Sequence, residues 1–141
     1  MAYRTILAVN FDEERLRLLK HVGLTAQAKV RAVGEDEKDK TVGELIGLTE
    51  EETAEISALA QDTIEGTAIP DDAEPVMKEA VILCGFDQAA AHEFLEAIKR
   101  GKVKYIPLKA MLTPNNVGWN IHTILYELQE EHEYFKKNRS R

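Results

Sequence analysis

The chain has 141 residues, of which 44% are hydrophobic and 30% charged, and its formal net charge is −7 at pH 7. This composition is that of a folded globular protein and excludes wholesale disorder. The acidic balance argues against a nucleic-acid binder, which needs a basic surface to neutralise phosphates. No apolar run approaches the roughly 20 residues that span a bilayer, and the start of the sequence lacks the features of a signal peptide. We therefore expect a cytoplasmic protein with neither membrane nor nucleic acid as a partner.

Residue types that carry catalysis or bind metals are sparse in this sequence. Cys84 is the one cysteine, so the chain has no internal disulfide. It precedes a predicted helix, a position that fits either a helix-stabilised thiolate or, more simply, a buried thiol. The four histidines form no recognised metal motif with it, and neither a glycine-rich phosphate loop nor a catalytic triad is present. We therefore assign no catalytic residue, no metal site and no cofactor.

The first half of the chain predicts alternating strands and helices. In chain order these are a strand at 5–9, a helix from 13 to about 22, a strand at 28–33, a charged loop at 34–40 and helices at 42–48 and 50–64. Asp12 is suited to cap the first helix, and Gly23 to end it in a left-handed conformation. Thr41 and Thr49 each begin a capping-box spacing. We expect the charged loop to be solvated. The inner face of helix 50–64 would carry Ile56, Leu59, Ala60 and Ile64.

The second half predicts a similar order of elements. In chain order these are a linker at 65–79, a strand at 80–84, a helix at 88–100, a strand at 103–108 and a long helix from 114 to 137. Asp87 is suited to cap the first of these helices. Pro107 lacks a backbone donor, so we expect the last strand to lie at a sheet edge or to end there. Residues 1–64 and 80–141 would then form two parts of one compact domain.

A shift of 75 positions brings the two halves into correspondence. It places 6–12 on 81–87, matching Phe11 with Phe86 and Asp12 with Asp87, and without a gap it places 42–46 on 117–121. We predict an α/β fold in which two related β-α-β-α units build one sheet of about four strands, with helices packed on it. The strands within each unit should be parallel. The central strands would be antiparallel if a pseudo-twofold axis relates the units, and the strand order stays open.

The long helix predicts two buried faces. A wheel of residues 114–137 places its aliphatic side chains on one stripe, which we expect to face the core. Trp119 and Tyr126 lie roughly opposite that stripe, and His122 lies beside them. Aromatic rings of this kind favour interfaces. Three explanations remain open: another part of the chain covers Trp119, a second copy of the protein binds there, or a ligand or protein partner does.

A candidate ligand site precedes this helix. Thr113 is suited to cap it, and Asn115 and Asn116 add side-chain amides near its first backbone donors. A helix start attracts anions, and Lys109 just upstream adds a positive charge. These four residues therefore predict a pocket for a carboxylate or phosphate. The simpler interpretation is that they form only a helix cap.

The run KAMLTPNNVGW, followed by ILYELQEEHEYF, resembles a family of small prokaryotic domains of unknown function. The residues that carry the resemblance are a lysine–alanine pair, a threonine, an asparagine and a tryptophan ahead of a helix rich in leucine and glutamate: Lys109, Ala110, Thr113, Asn116 and Trp119. The resemblance covers roughly residues 81–135. It implies a compact α/β domain and supplies no activity.

Two functional hypotheses follow from these patterns. The first is a cytoplasmic binding or regulatory module without catalytic turnover, which forms a homodimer or binds a protein partner through Trp119, His122 and Tyr126. The alternative is a binding protein or enzyme that takes a small anionic ligand at the predicted helix start, with Lys109, Thr113, Asn115 and Asn116 as its contacts.

Overall fold

The computed structural model describes residues 4–59, 69, 76–114 and 116–139. Within these residues, four strands form one mixed sheet and five α-helices accompany it. The elements in chain order are β1 (Arg4–Val9), α1 (Glu13–Thr25), β2 (Ala28–Val33), α2 (Val42–Leu45), α3 (Glu50–Ser57), β3 (Ala80–Cys84), α4 (Gln88–Arg100), β4 (Leu108–Met111) and α5 (Ile121–Arg139). The predicted α/β class, with four strands in one sheet, is confirmed.

The sheet has the strand order β2-β1-β3-β4. β1 pairs in parallel with β2, β3 pairs in parallel with β4, and the central pair β1–β3 is antiparallel. Leu7 lies opposite Ile82 at the centre of that pair. All five residues of β3 are buried, as expected for a central strand of an α/β sheet.

The chain divides into two compact units. The sheet unit holds the four strands with α1 and α4, in the ranges Met1–Val33 and Lys78–Met111. The helical unit holds α2, α3 and α5, in the ranges Gly34–Met77 and Leu112–Arg141. In the sheet unit, α1 and α4 contribute Leu19, Phe94 and Ile98 to a core that also contains Ile6 and Leu83 of the central strands.

Elements of the sheet unit recur at an offset of 75 positions. α1 and α4 both have 13 residues, and their N-caps, Asp12 and Asp87, are 75 positions apart. Each cap carboxylate accepts a backbone N–H three residues on, as predicted for an N-cap. Asn10 and Gly85, also 75 positions apart, both have positive φ. Two matched strand–turn–helix segments therefore meet across the antiparallel centre.

The offset changes to 79 after α4. Thr5 of β1 lies opposite Lys29, whereas Ala80 of β3 lies opposite Leu108. Because Lys29 and Leu108 are 79 positions apart, four additional residues enter between α4 and β4. The ungapped correspondence of 42–46 with 117–121 is therefore wrong, since α2 and α5 begin 79 positions apart.

Gly23 does not end α1 as predicted. The helix continues to Thr25, and the chain turns at Gln27, whose φ is +56°. Gly23 lies inside the helix at a close approach to β2: a Cβ there would come within 2.9 Å of Val30 Cγ2 and 3.2 Å of the Ala28 carbonyl oxygen. Glycine is required at this position for space and not for a left-handed conformation.

The predicted strand at 103–108 is also wrong, because β4 begins only at Leu108. Val103 and Ile106 are each 1% exposed. The apolar pattern at 103–108 therefore comes from loop residues that are buried in the core. Lys104 has a φ of +61°, which is incompatible with an extended strand. One consequence is that Lys109, predicted in a loop, lies in β4.

Three further predictions in the first half need correction. α2 ends at Leu45, short of 48, and Gly47 reverses the chain with a φ of +87°. α3 ends at Ser57, and Leu59, predicted on an inner face, is 72% exposed. Lys38 in the charged loop is buried, with its Nζ 2.7 Å from Glu35 Oε1. Residues 60–64 and most of the predicted linker at 65–79 lie outside the described residues.

Candidate functional site

Two chain segments, 38–43 and 117–122, meet at the starts of α2 and α5; we call this pair of segments the crossing. Thr41 and Asn120 form a β-bridge at its centre. Four backbone bonds flank the bridge: Val42 N to Trp119 O at 3.1 Å, Gly43 N to Val117 O at 3.0 Å, Ile121 N to Lys40 O at 3.2 Å and His122 N to Lys38 O at 3.2 Å. The donors form two pairs 79 positions apart, Val42 with Ile121 and Gly43 with His122, and their acceptors are related by the same offset. The hydrogen bonding of the crossing is therefore symmetrical about its bridge.

The crossing supplies acceptors for the start of α5. Ile121 and His122 donate their backbone N–H groups to carbonyl oxygens of segment 38–43. Thr123 N donates to Asn120 Oδ1 at 2.9 Å, so Asn120 is the N-cap. The first three N–H groups of α5 therefore have partners within the chain. An anion at this helix start would have to displace them.

Thr113 and Asn116 are brought together by a turn that precedes α5. Thr113 N donates to Asn116 Oδ1 at 2.8 Å, and Asn116 N donates to Thr113 Oγ1 at 3.2 Å. The turn has the reciprocal bonding of a capping box, but α5 begins only at Ile121. The predicted helix start at 113–116 is therefore wrong. Asn115 lies outside the described residues.

Lys109 lies in β4 and belongs to the sheet unit, whereas Thr113 and Asn116 belong to the helical unit. Its Nζ is 5.5 Å from the centroid of the Tyr105 ring, a cation–π contact. Burial lowers the pKa of the Lys109 ammonium, and the charge of Lys99 lowers it further.

Trp119, His122 and Tyr126 occupy the crossing and the first two turns of α5. Trp119 precedes the N-cap, so its predicted position on the helix is wrong; the residue is partly buried. His122 and Tyr126 follow one turn apart on α5. The His122 side chain is 46% exposed, and its Nε2 lies 3.3 Å from Asp39 Oδ1. The opposite stripe of α5 is buried as predicted, at Ile121, Ile124 and Leu125.

Residues 79–135 match the family model described as Domain of unknown function (DUF3783). The match confirms the resemblance to a small domain of unknown function. The DUF3783 segment includes β3, α4, β4 and α5 as far as 135. It therefore takes strands from the sheet unit and its last helix from the helical unit. The chain matches no curated protein and no solved structure.

All five residues that carry the resemblance fall within the DUF3783 segment. The structure gives two of them a local role, since Thr113 and Asn116 close the turn before the crossing. Trp119 has its backbone held from both sides, with its N–H on the Asn116 carbonyl at 3.0 Å and its carbonyl on Val42 N at 3.1 Å. These contacts hold the backbone of Trp119 in place within the DUF3783 segment.

Sequence reasoning missed two features beside this site. Asp39 was assigned to a solvated loop, yet it contacts His122 across the crossing. Asn120, the actual cap of α5, was not singled out, although asparagine is among the preferred capping residues. Among the described residues, no group of three or more His, Cys, Asp or Glu side chains could hold a metal ion. None of the helices in the described part of the chain has the length and apolar character needed to cross a membrane.

Proposed function

We propose that this cytoplasmic protein is a binding or regulatory module without catalytic turnover, and that it binds a second copy of itself through Trp119, His122 and Tyr126. One observation carries the proposal. Thr113 and Asn116 bond to each other and the first N–H groups of α5 bond within the crossing, whereas Trp119 and Tyr126 are only partly buried.

The chemistry of these three side chains suits an interface. Trp and Tyr bring large apolar rings with a polar group each, so they gain from burial while still able to donate a hydrogen bond. The backbone bonds on both sides of Trp119 limit the freedom that its backbone would lose on binding. His122 and Asp39, whose side chains are 46% and 88% exposed, provide a polar rim.

We further infer that the two halves of the chain are related units. The inference is supported by the offset of 75 that links the capped helices and by the offset of 79 that links the two sides of the crossing. At the second offset, Lys40 stands where Trp119 stands. The aromatic ring is thus an addition of the second half, and its function is best sought there.

Trp119→Ala is expected to shift the protein from dimer to monomer. Truncating a central aromatic anchor typically costs 2 kcal/mol or more of binding free energy, so we expect the dissociation constant to rise by about tenfold or more. Sedimentation velocity over a range of protein concentrations measures this shift. Tyr126→Ala should act in the same direction.

Tyr105→Ala is the matched control for these variants, since Tyr105 is 59% exposed and belongs to the sheet unit. It should leave the dimer intact. A wild-type protein that sediments as a monomer even at high concentration would contradict self-association. Loss of the dimer in the Tyr105 variant as well would show that the effect is not specific to the α5 surface.

The alternative, an anion site at Lys109, Thr113, Asn115 and Asn116, has less support because Thr113 and Asn116 bond to each other. Thr113→Ala should therefore lower the free energy of unfolding by about 1 kcal/mol through loss of a cap-type hydrogen bond. It should do so equally with and without phosphate. Urea unfolding in both buffers tests this, and a stabilisation by phosphate that the variant loses would favour the anion site instead.

A further inference from the structure

Arg15 forms the best-connected side-chain contact of the sheet unit. Its Nε and Nη2 donate to the two carboxylate oxygens of Glu79 at 2.9 and 2.7 Å. Its Nη1 donates to the Val103 carbonyl at 2.7 Å, and Nη2 also donates to the Tyr105 carbonyl at 2.9 Å. The guanidinium thus ties α1 to the chain before β3 and to the loop after α4.

The equivalent location in the other half has a different composition. At the offset of 75 that relates α1 to α4, Ala90 replaces Arg15 and Arg4 replaces Glu79. Arg4 Nη1 donates to the Ala26 carbonyl at 3.0 Å, just after α1, as Arg15 does to Val103 after α4. The backbone contact is retained, but the carboxylate and the second long side chain are missing.

A cavity that is open to solvent lies at this location. Its volume is about 350 Å³, within the range of small-molecule sites. Arg4, Gln27 and Glu93 supply polar groups to its lining, and Ala90, Phe94 and Ala97 line it along α4. Ala90 and Ala97 account for the open space, because the corresponding positions of α1 hold the larger residues Arg15 and Val22.

We propose that this cavity binds a small zwitterion of the α-amino acid class. Arg4 supplies the cationic contact: its guanidinium lies 5.6 Å above the Phe86 ring and has five N–H donors, of which Ala26 accepts from one nitrogen. A ligand carboxylate takes the role that the Glu79 carboxylate has beside Arg15.

The negative charge of Glu93 favours a zwitterionic ligand over one that carries only a carboxylate. Glu93 lies on α4 between Ala90 and Ala97, three and four residues away, and therefore on the same helix face. Glu93 is an exposed residue of the lining, and its carboxylate would repel a ligand that carries only negative charge. A ligand ammonium beside Glu93 and a ligand carboxylate beside Arg4 satisfy both protein charges at once.

The test is binding of free α-amino acids to the full chain, followed by amide chemical shifts in ¹⁵N-labelled protein. Each amino acid is compared with its N-acetyl and its carboxamide derivative, which lack the ammonium or the carboxylate. We expect shifts of the Gln27, Ala90 and Ala97 amides with at least one free amino acid. We expect binding weaker by about tenfold or more with both derivatives.

Ala97→Leu fills the cavity and should abolish binding, whereas Ala89→Leu, an exposed position on the same helix, should leave it unchanged. Glu93→Gln should remove the difference between the free and the N-acetylated ligand. Absence of shifts with every amino acid at millimolar concentration overturns the proposal, and so does equal binding of free and N-acetylated ligands by the wild type. The amide chemical shifts of the wild-type protein test the proposal even if a variant fails to fold.

Discussion

Replacing Arg15 with alanine is expected to lower the free energy of unfolding by about 3 kcal/mol, because it leaves a partly buried carboxylate without its partner. The Arg15 and Glu79 side chains are only 26% and 21% exposed, so water cannot fully replace the lost bonds. The hydrogen bonding that Arg15 donates to the Glu79 carboxylate is the main cause that raises the pKa of the Arg15 guanidinium, ahead of burial, which lowers it. Urea unfolding measures the loss.

Arg17→Ala is the matched control, since Arg17 lies on the same helix and is exposed. We expect it to change the free energy of unfolding by less than about 0.5 kcal/mol. Glu79→Ala and the double variant complete a thermodynamic cycle. The double variant should lose less than the two single variants together, because neither charge is left alone. A loss for Arg15→Ala no larger than for Arg17→Ala would show that the ion pair contributes nothing to stability.

Local signals explain what the sequence could predict. Asp12 and Asp87 were identified as caps because a cap bonds to an N–H only three residues away. The apolar run 80–84 predicted a buried strand, and the structure has β3 over the same residues. In each case the interaction that stabilises the element lies within a few residues of the signal.

Nonlocal contacts explain what could not be predicted from the sequence. Arg15 and Glu79 are 64 positions apart, so no window of sequence contains both. The start of α5 was misplaced because Thr113 and Asn116 form a turn with the local signature of a helix cap. The true start depends on carbonyl oxygens of segment 38–43, which the chain brings close only in the folded crossing.

The misplacement of β4 has a different cause. Apolar periodicity reports which side chains are buried, and buried loop residues produce the same pattern as a strand. Val103 and Ile106 are buried in a loop whose backbone turns at Lys104. The four residues that separate the two offsets fall between α4 and β4. An ungapped shift of 75 positions therefore misplaces the elements that follow α4.

Cys84 should make the protein progressively less stable above about pH 9. Burial raises the pKa of its thiol from 9.0 to about 12, because the thiolate would be poorly solvated in the sheet. The native state therefore keeps this proton over a range in which the unfolded chain releases it. The protein therefore keeps its stability below the pKa of the thiol in the unfolded chain. It loses stability as pH rises from there toward the pKa of the thiol in the folded protein.

The size of this effect is ~1.4 kcal/mol for each pH unit between the two pKa values. Lysines and tyrosines also titrate in this range, so the measurement compares wild type with Cys84→Ala by urea unfolding at several pH values. The stability of the wild type relative to the variant should fall by about that slope above pH 9 and stay constant below pH 8. Equal pH dependence of the two proteins would show that the thiol ionises in the native state.

Alkylation gives an independent measure of the same burial. The Cys84 side chain is 3% exposed, and its Sγ lies 3.8 Å from the Ile82 carbonyl oxygen, so reagent reaches it only when β3 leaves the sheet. Because β3 is a central strand paired on both sides, its opening should approach global unfolding in free energy. Iodoacetamide should thus react far more slowly with the native protein than with the urea-unfolded chain. Comparable rates would place the thiol at an accessible surface and remove the basis for the alkaline effect.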